Sequence, residues 1–256
     1  MLGAVPDTRS FDDLVRAAHG DAWQALGGLF ETRGGGTASL RGMRVMASGL
    51  PHPQWNSADV GAADADIEAA RAFFAERGVP WGARVPAAMA WPHGRLMCRQ
   101  RLMGLFAGDF DPAPLPPGFA LQAAGVADLE SVLAVDAEAF ESDAQAGRPW
   151  LAALLGAPAT VVTVARATTA GRTVGTGYAV HTDGVAGPSV CIAGIAVAGD
   201  CRRRGLGAAL SSWLVRGGFD AGAQLAHLQP DDDRAARLYA GLGFIEAGGL
   251  DIYVDI

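Results

Sequence analysis

Apolar residues recur at Leu206, Ala209, Leu210, Trp213 and Leu214, a three-and-four spacing that predicts an amphipathic helix starting near residue 206. Directly before it, residues 189–197 (SVCIAGIAV) form an unbroken apolar run, the pattern of a strand buried on both faces. Between the two lies CRRRGLG, basic and punctuated by glycine. A strand–turn–helix unit is therefore expected at the centre of the second half of the chain.

The same reading extends outward from that unit. Residues 119–124 read as a strand, and 126–140 and 150–155 as helices joined by the acidic ESDAQAGRP. The β-branched runs 159–166 and 172–181 predict a hairpin around ATTAG. Residues 224–229 read as a strand and 232–242 as a helix ended by Gly243; two short strands around EAGGLD close the chain. Towards the N-terminus the pattern is less regular. A helix is expected over 11–30 with a break near Gly27-Gly28, a strand at 43–47, an alanine-rich helix at 63–76, and strands near 81–85 and 96–105.

The clearest seam is DFDPAPLPPGF, where four prolines in six positions exclude helix interior and central strand. It predicts an N-terminal α/β part (1–110), an extended linker (111–118) and a second mixed α/β part (119–256), each of domain size. The first part faintly repeats the strand–helix–strand order of the second, but GLPHPQWNSADV stands where a Gly-x-Gly turn would be.

Composition narrows the classes. Half of the 256 residues are hydrophobic and 18% are charged, which supports a packed core and excludes global disorder. All 20 basic residues are arginine, which we read as codon bias of a GC-rich genome. The net charge of −7 argues against a general nucleic-acid-binding face. No apolar run approaches bilayer-spanning length, and the first residues show no basic segment followed by an apolar one, so a cytoplasmic protein without membrane partner is expected. Three scattered cysteines do not make a disulfide framework, and the five histidines show no ligand spacing, so no metal is expected.

Against that acidic background, Arg202-x-x-Gly205-x-Gly207-Ala208 between strand and helix is a device for an anion. The first turn of a helix carries N–H groups without intrahelical partners and the positive end of its dipole. Glycines allow close approach, and arginines add charge-assisted hydrogen bonds. A second pattern follows: Asp232-x-x-Ala235-x-x-Leu238-Tyr239-x-x-x-Gly243-Phe244. Together, in this order, the two resemble the GCN5-related N-acetyltransferase (GNAT) superfamily. Its members carry [Q/R]-x-x-G-x-[G/A] and then N-x-x-A-x-x-L-Y-x-x-x-G-F. The departure is Asp232 in place of asparagine, a residue that still suits a helix N-cap.

The resemblance covers about residues 119–256 and implies the acyl-CoA N-acyltransferase fold there, with a degenerate copy as the N-terminal part. It implies acetyl-CoA as co-substrate, lying where the fourth strand splays from the fifth. Ile195, Ala196 and Val197 would offer main-chain groups to the pantetheine arm, with the Val197 N–H facing the thioester oxygen. The N–H groups of Arg203, Arg204, Gly205, Leu206, Gly207 and Ala208 would take the pyrophosphate, with Arg202 at the motif position and Asp232 beside the cofactor. Tyr239 matches the family's general acid, and an ordinary phenol is protonated at neutral pH. His227, twelve residues earlier, is a candidate base; water chains ending on Glu138, Glu141 or Asp143 are another route, unless those acids are simply solvated. Cys191 and Cys201 have no visible activating base and are expected to pack.

The expected function is transfer of an acetyl group to a primary amine, small molecule or peptide, by direct attack in a ternary complex. The N-terminal part would shape the acceptor side or a homodimer interface. The alternatives are a CoA-binding sensor without turnover and an acyltransferase with a longer acyl donor.

Overall fold

The structure, a computed structural model, describes residues 9–254 and 256; the opening residues 1–8, read above for the absence of a leader, lie outside them. Ser10 caps the first helix, its Oγ accepting the Asp13 N–H at 3.1 Å. Helix α1 (Phe11–Gly28) then runs unbroken, so Gly27-Gly28 ends the helix instead of interrupting it. Strands β1 (Gly36–Leu40), β2 (Met43–Ala47) and β3 (Asn56–Val60), helix α2 (Ile67–Ala75) and strands β4 (Gly82–Pro86) and β5 (Arg95–Phe106) complete the first half.

Residues 110–118 contain no helix or strand, as their prolines require. The second half contains β6 (Phe119–Ala123), α3 (Leu129–Phe140), α4 (Ala144–Leu154), β7 (Thr160–Ala167), β8 (Thr173–Gly184), β9 (Gly187–Val197), α5 (Leu206–Asp220), β10 (Leu225–Leu228), α6 (Asp233–Ala240) and β11 (Ile245–Val254).

All eleven strands join one mixed sheet, in the order β1-β2-β3-β4-β11-β5-β10-β9-β8-β7-β6. Two pairs are parallel, β3 with β4 and β9 with β10, each spanned by a crossover helix, α2 or α5. The halves thus repeat a β-β-β-α-β order, and each sends its last strand into the other. β5 lies against β10, and β11 lies against β4, with the two pairing antiparallel at the centre.

This exchange explains one difference from the sequence reading. EAGGLD is not a turn between two strands: β11 runs through it, with a bulge between Ala247 and Leu250. A Cβ on Gly249 would lie 2.5 Å from the Gln100 carbonyl oxygen, so the glycine is there for close backbone approach.

Helix α2 packs Ile67, Ala70 and Phe74 on Val45, Ala58 and Val85. Helix α5 covers the same role in the second half with Leu206, Leu210 and Leu214. On the other face, α1 crosses from β1 and β2 to β8 and β9, touching both halves. Its Trp23 packs 5.9 Å from the Trp150 ring of α4, which also lies 5.4 Å from Phe30 and 5.4 Å from Trp55. Trp150→Ala removes this buried ring and should lower unfolding stability by about 3–5 kcal/mol. Denaturant titration of the full chain reads that loss directly.

Candidate active site

β9 and β10 pair only over residues 189–192 and 225–228, although β9 continues to Val197. Beyond that point the two strands open a gap. A bulge on β9, between its pairings at Ala193 and Ala196, bends the strand at the opening. The Ala198 N–H bonds the Val174 carbonyl of β8 at 2.9 Å. Strand alternation therefore turns the main-chain groups of Val197 away from β8 and into the gap.

A short turn leads from β9 to α5. Arg203 has φ +62° and Gly205, the N-cap of α5, has φ +81°. Glycine takes that conformation at little cost, and the paired left-handed residues curl successive N–H groups to one side. From Arg203 to Ala208 no main-chain N–H has an acceptor among the described residues. A Cβ on Gly205 would meet nothing within 4 Å, so the space over these donors is open. The donor set suits a phosphate or another oxyanion.

A groove of about 280 Å³ runs over this turn. It is lined by Ile195, Val197, Arg202, Arg203, Gly205, Leu206, Gly207, Ala208, Asp232 and Tyr239, so the structure gathers most of the residues named from sequence. Two cofactor candidates stand outside it. Ala196 is buried at 1% exposure on the far side of β9, and Arg204 projects into solvent. The Arg202 side chain turns inward, its Nε donating to the Val197 carbonyl at 2.9 Å and its guanidinium reaching the Ala139 carbonyl at 3.4 Å. Arg202 thus braces the turn against β9 and α3. Asp232 caps α6, accepting the Ala235 N–H at 2.7 Å, as its side chain allows.

Tyr239 stands where the groove meets a second cavity, of about 180 Å³, whose walls it shares with Ile195 and Phe140. Burial first, then the Asp231 charge, push its phenol up to about 12. Tyr239 is therefore protonated at neutral pH and can donate. The second cavity is built across the two halves, with His19, Ala22, Trp23 and Leu26 from α1 facing Tyr178, Cys191, Ile192, Gln229 and Asp231. Sequence reasoning misses these α1 residues. Asp231 falls between the predicted strand 224–229 and the predicted helix 232–242, where nothing in the sequence reading singles it out. Its pKa is raised, by withdrawal from water first and by the neighbouring Asp232 second.

His227 does not fit the base role expected for it. Its ring is fully buried, lines neither cavity, and neither ring nitrogen has a partner among the described residues. It packs edge-on against His19, 6.0 Å between centroids. Burial lowers His227 to about 4 and holds His19 well below 6.5; His19 accepts the Trp23 indole N–H at 3.1 Å. Both fold as neutral rings. Below pH 6.5 the unfolded chain binds more protons than the folded one, so stability should fall as pH drops from about 6.5 towards 4. His227→Leu should flatten that fall, which melting temperature against pH will show.

Two of the three acids named from sequence have structural partners: Glu138, in the last turns of α3, accepts the Gly199 N–H at 2.7 Å, and Asp143 caps α4 through Gln145 at 2.9 Å. Burial pushes the Cys191 thiol up to about 12 and raises Cys201, so both remain protonated packing residues. A larger hollow, about 680 Å³, lies under α1 in the first half, away from the turn. Its arginines are already paired, Arg16 with Asp13 and Arg44 with Asp59 and Asp21, so it offers no comparable anion seat. No His, Cys, Asp and Glu cluster suited to a metal occurs among the described residues, and no helix there is long and apolar enough to cross a membrane.

A parallel strand pair opening beside a turn of unpaired N–H groups, with a protonated phenol at the opening, marks an α/β domain of the acetyltransferase class. Residues 128–244 match the Acetyltransferase (GNAT) family, and this part of the chain belongs to that family. No curated protein matches the chain. Among solved structures, a GCN5-related N-acetyltransferase from Kribbella flavida is 23% identical, with 93% of this chain and 95% of that one covered and a TM-score of 0.69. One from Sphaerobacter thermophilus is 17% identical, with coverages of 83% and 76% and a TM-score of 0.59. A tandem GNAT protein from the clavulanic acid biosynthesis pathway is 17% identical, with coverages of 82% and 77% and a TM-score of 0.55. At these identities the likeness is one of fold, and it extends over both halves of the chain.

Proposed function

We propose that the protein transfers the acetyl group of acetyl-CoA to a primary amine. The observation that carries this reading is the continuous path from the N–H turn at residues 203–208, along the open edge of β9, to Tyr239 and the second cavity. Acetyl-CoA would supply an activated thioester and a pyrophosphate handle. The turn would hold the pyrophosphate, and Arg203 would add charge at its rim. The Val197 N–H faces the gap and would steady negative charge developing on the thioester oxygen. As the amine nitrogen bonds the acetyl carbon and the C–S bond breaks, Tyr239 would give its proton to the departing thiolate, and its phenolate would recover the proton that the acylated nitrogen must lose to become an amide.

The second reading, a CoA-binding sensor without turnover, draws on Asp232, a carboxylate facing the groove where the family has asparagine. Both readings require CoA binding. A ligand that binds only the folded state raises stability by about 2.7 kcal/mol at a hundredfold excess over Kd. CoA should therefore raise the melting temperature of the intact chain. Unchanged melting at millimolar CoA would remove both.

A further inference from the structure

The second cavity has one chemical character on its walls and another at its mouth. Trp23, Leu26, Val180 and Ile192 are apolar or aromatic. The lining contains neither arginine nor lysine, and His19 is neutral, because burial holds its pKa well below 6.5. Tyr178 and Cys191 are both pushed up by burial and stay uncharged. That leaves Asp231, exposed at the rim yet with its carboxyl partly withdrawn from water, as the lining side chain that can carry charge near neutral pH, and its charge is negative. At about 180 Å³ the space is smaller than the roughly 300–1,000 Å³ of pockets for drug-sized ligands.

We infer that the acceptor is a small amine bearing a single positive charge on a compact apolar or aromatic body, with Asp231 holding the ammonium and α1 enclosing the body. This inference rests on the acetyl-transfer reading and specifies its acceptor. A carboxylate on the amine would find no cation on the lining to pair it, because the Arg84 guanidinium lies 3.4 Å from the centre of the Trp23 ring, outside the lining, and donates to the Gln54 carbonyl; burying an unpaired charge is strongly unfavourable. A polycation would have one carboxylate for several ammonium groups, leaving the remainder against aromatic and aliphatic walls. Asp231 and Tyr239 line the same cavity, so an ammonium group held at Asp231 lies in the space that Tyr239 also borders. There the carboxylate can take the proton that the ammonium must lose before its nitrogen attacks. The raised pKa of Asp231 brings it closer to that task. On this account the first half of the chain, which lacks the glycine turn, sets selectivity through Ala22, Trp23 and Leu26.

The test compares 2-phenylethylamine with phenylalanine, which has the same body and an added carboxylate, and with spermidine and a lysine-containing peptide. Melting temperature in saturating CoA reads binding without turnover, and product formation with acetyl-CoA reads transfer. 2-Phenylethylamine should add a further thermal shift and exceed phenylalanine and spermidine in kcat/KM by about a hundredfold or more, the scale of an unpaired buried charge. Ala22→Leu fills the cavity and should abolish the amine-dependent shift while keeping the CoA-dependent one. Asp231→Asn, at the exposed rim, should lower kcat/KM for the amine by about a hundredfold, again with the CoA shift intact. Preference for phenylalanine, spermidine or the peptide overturns the inference and leaves acetyl transfer standing, as does an amine response unchanged in both variants. Absence of any CoA shift in the wild type defeats the underlying reading instead.

Discussion

Replacing Gly205 with glutamate is expected to abolish CoA binding while the chain still folds. The space over the turn is open, so the new side chain meets no packed atom; it meets the place where a pyrophosphate would lie. Two like charges about 4 Å apart repel by about 4 kcal/mol at an effective dielectric near 20, or about a thousandfold in affinity. The position has φ +81°, so any side chain there carries backbone strain of about 1–2 kcal/mol. Gly205→Ala isolates that component: it should lose stability to a similar extent and still bind CoA. Calorimetric titration of both variants separates strain from electrostatics. Retained binding in Gly205→Glu would place the anion elsewhere.

The second large effect is expected at Tyr239. Tyr239→Phe removes only a hydroxyl from a residue that is 9% exposed and otherwise packed in the core with Leu242 and Phe244. Stability and CoA affinity should change little. Turnover at saturating substrates should fall by about 10²–10⁴-fold, the usual contribution of a positioned general acid. Because the phenol is pushed up to about 12, the wild-type rate should show no loss of this acid through pH 9. Unaltered turnover in Tyr239→Phe would leave Tyr239 as a packing residue.

The parts of the site that are local in sequence are legible there. The apolar run of β9, the glycine turn and the helical spacing of α5 are contiguous, and each follows from backbone chemistry that neighbouring residues dictate. Tyr239 and Asp232 belong to a second contiguous pattern, and α6 places both on the groove. The acceptor wall is different. His19, Ala22 and Trp23 lie some two hundred residues before Tyr239, and they reach it because α1 spans a sheet whose central strands are exchanged between halves. Nothing in the periodicity of α1 distinguishes a wall of a cavity from ordinary core.

The misreadings also have physical reasons. Gly248-Gly249 has the composition of a turn, but β5 pairs with the chain on either side of it, at Ala247 and Leu250, and makes it a bulge within one strand. β3 escapes pattern reading because NSADV is polar at buried positions. Asn56 is fully buried, yet its side chain is bonded to the Leu50, His52 and Pro80 carbonyls and accepts the Ser48 N–H. His227 had suitable chemistry and spacing for a base, but the first half seals it under α1.

The most direct test of acetyl transfer follows two products in one reaction. The intact chain is incubated with acetyl-CoA and a mixed panel of amines, and free CoA thiol and acetylated amine are measured together. The account predicts one thiol released per N-acetylated amine, with release dependent on the amine and lost in Tyr239→Phe. Stabilisation by CoA with no thiol released on any amine would contradict it and identify a sensor.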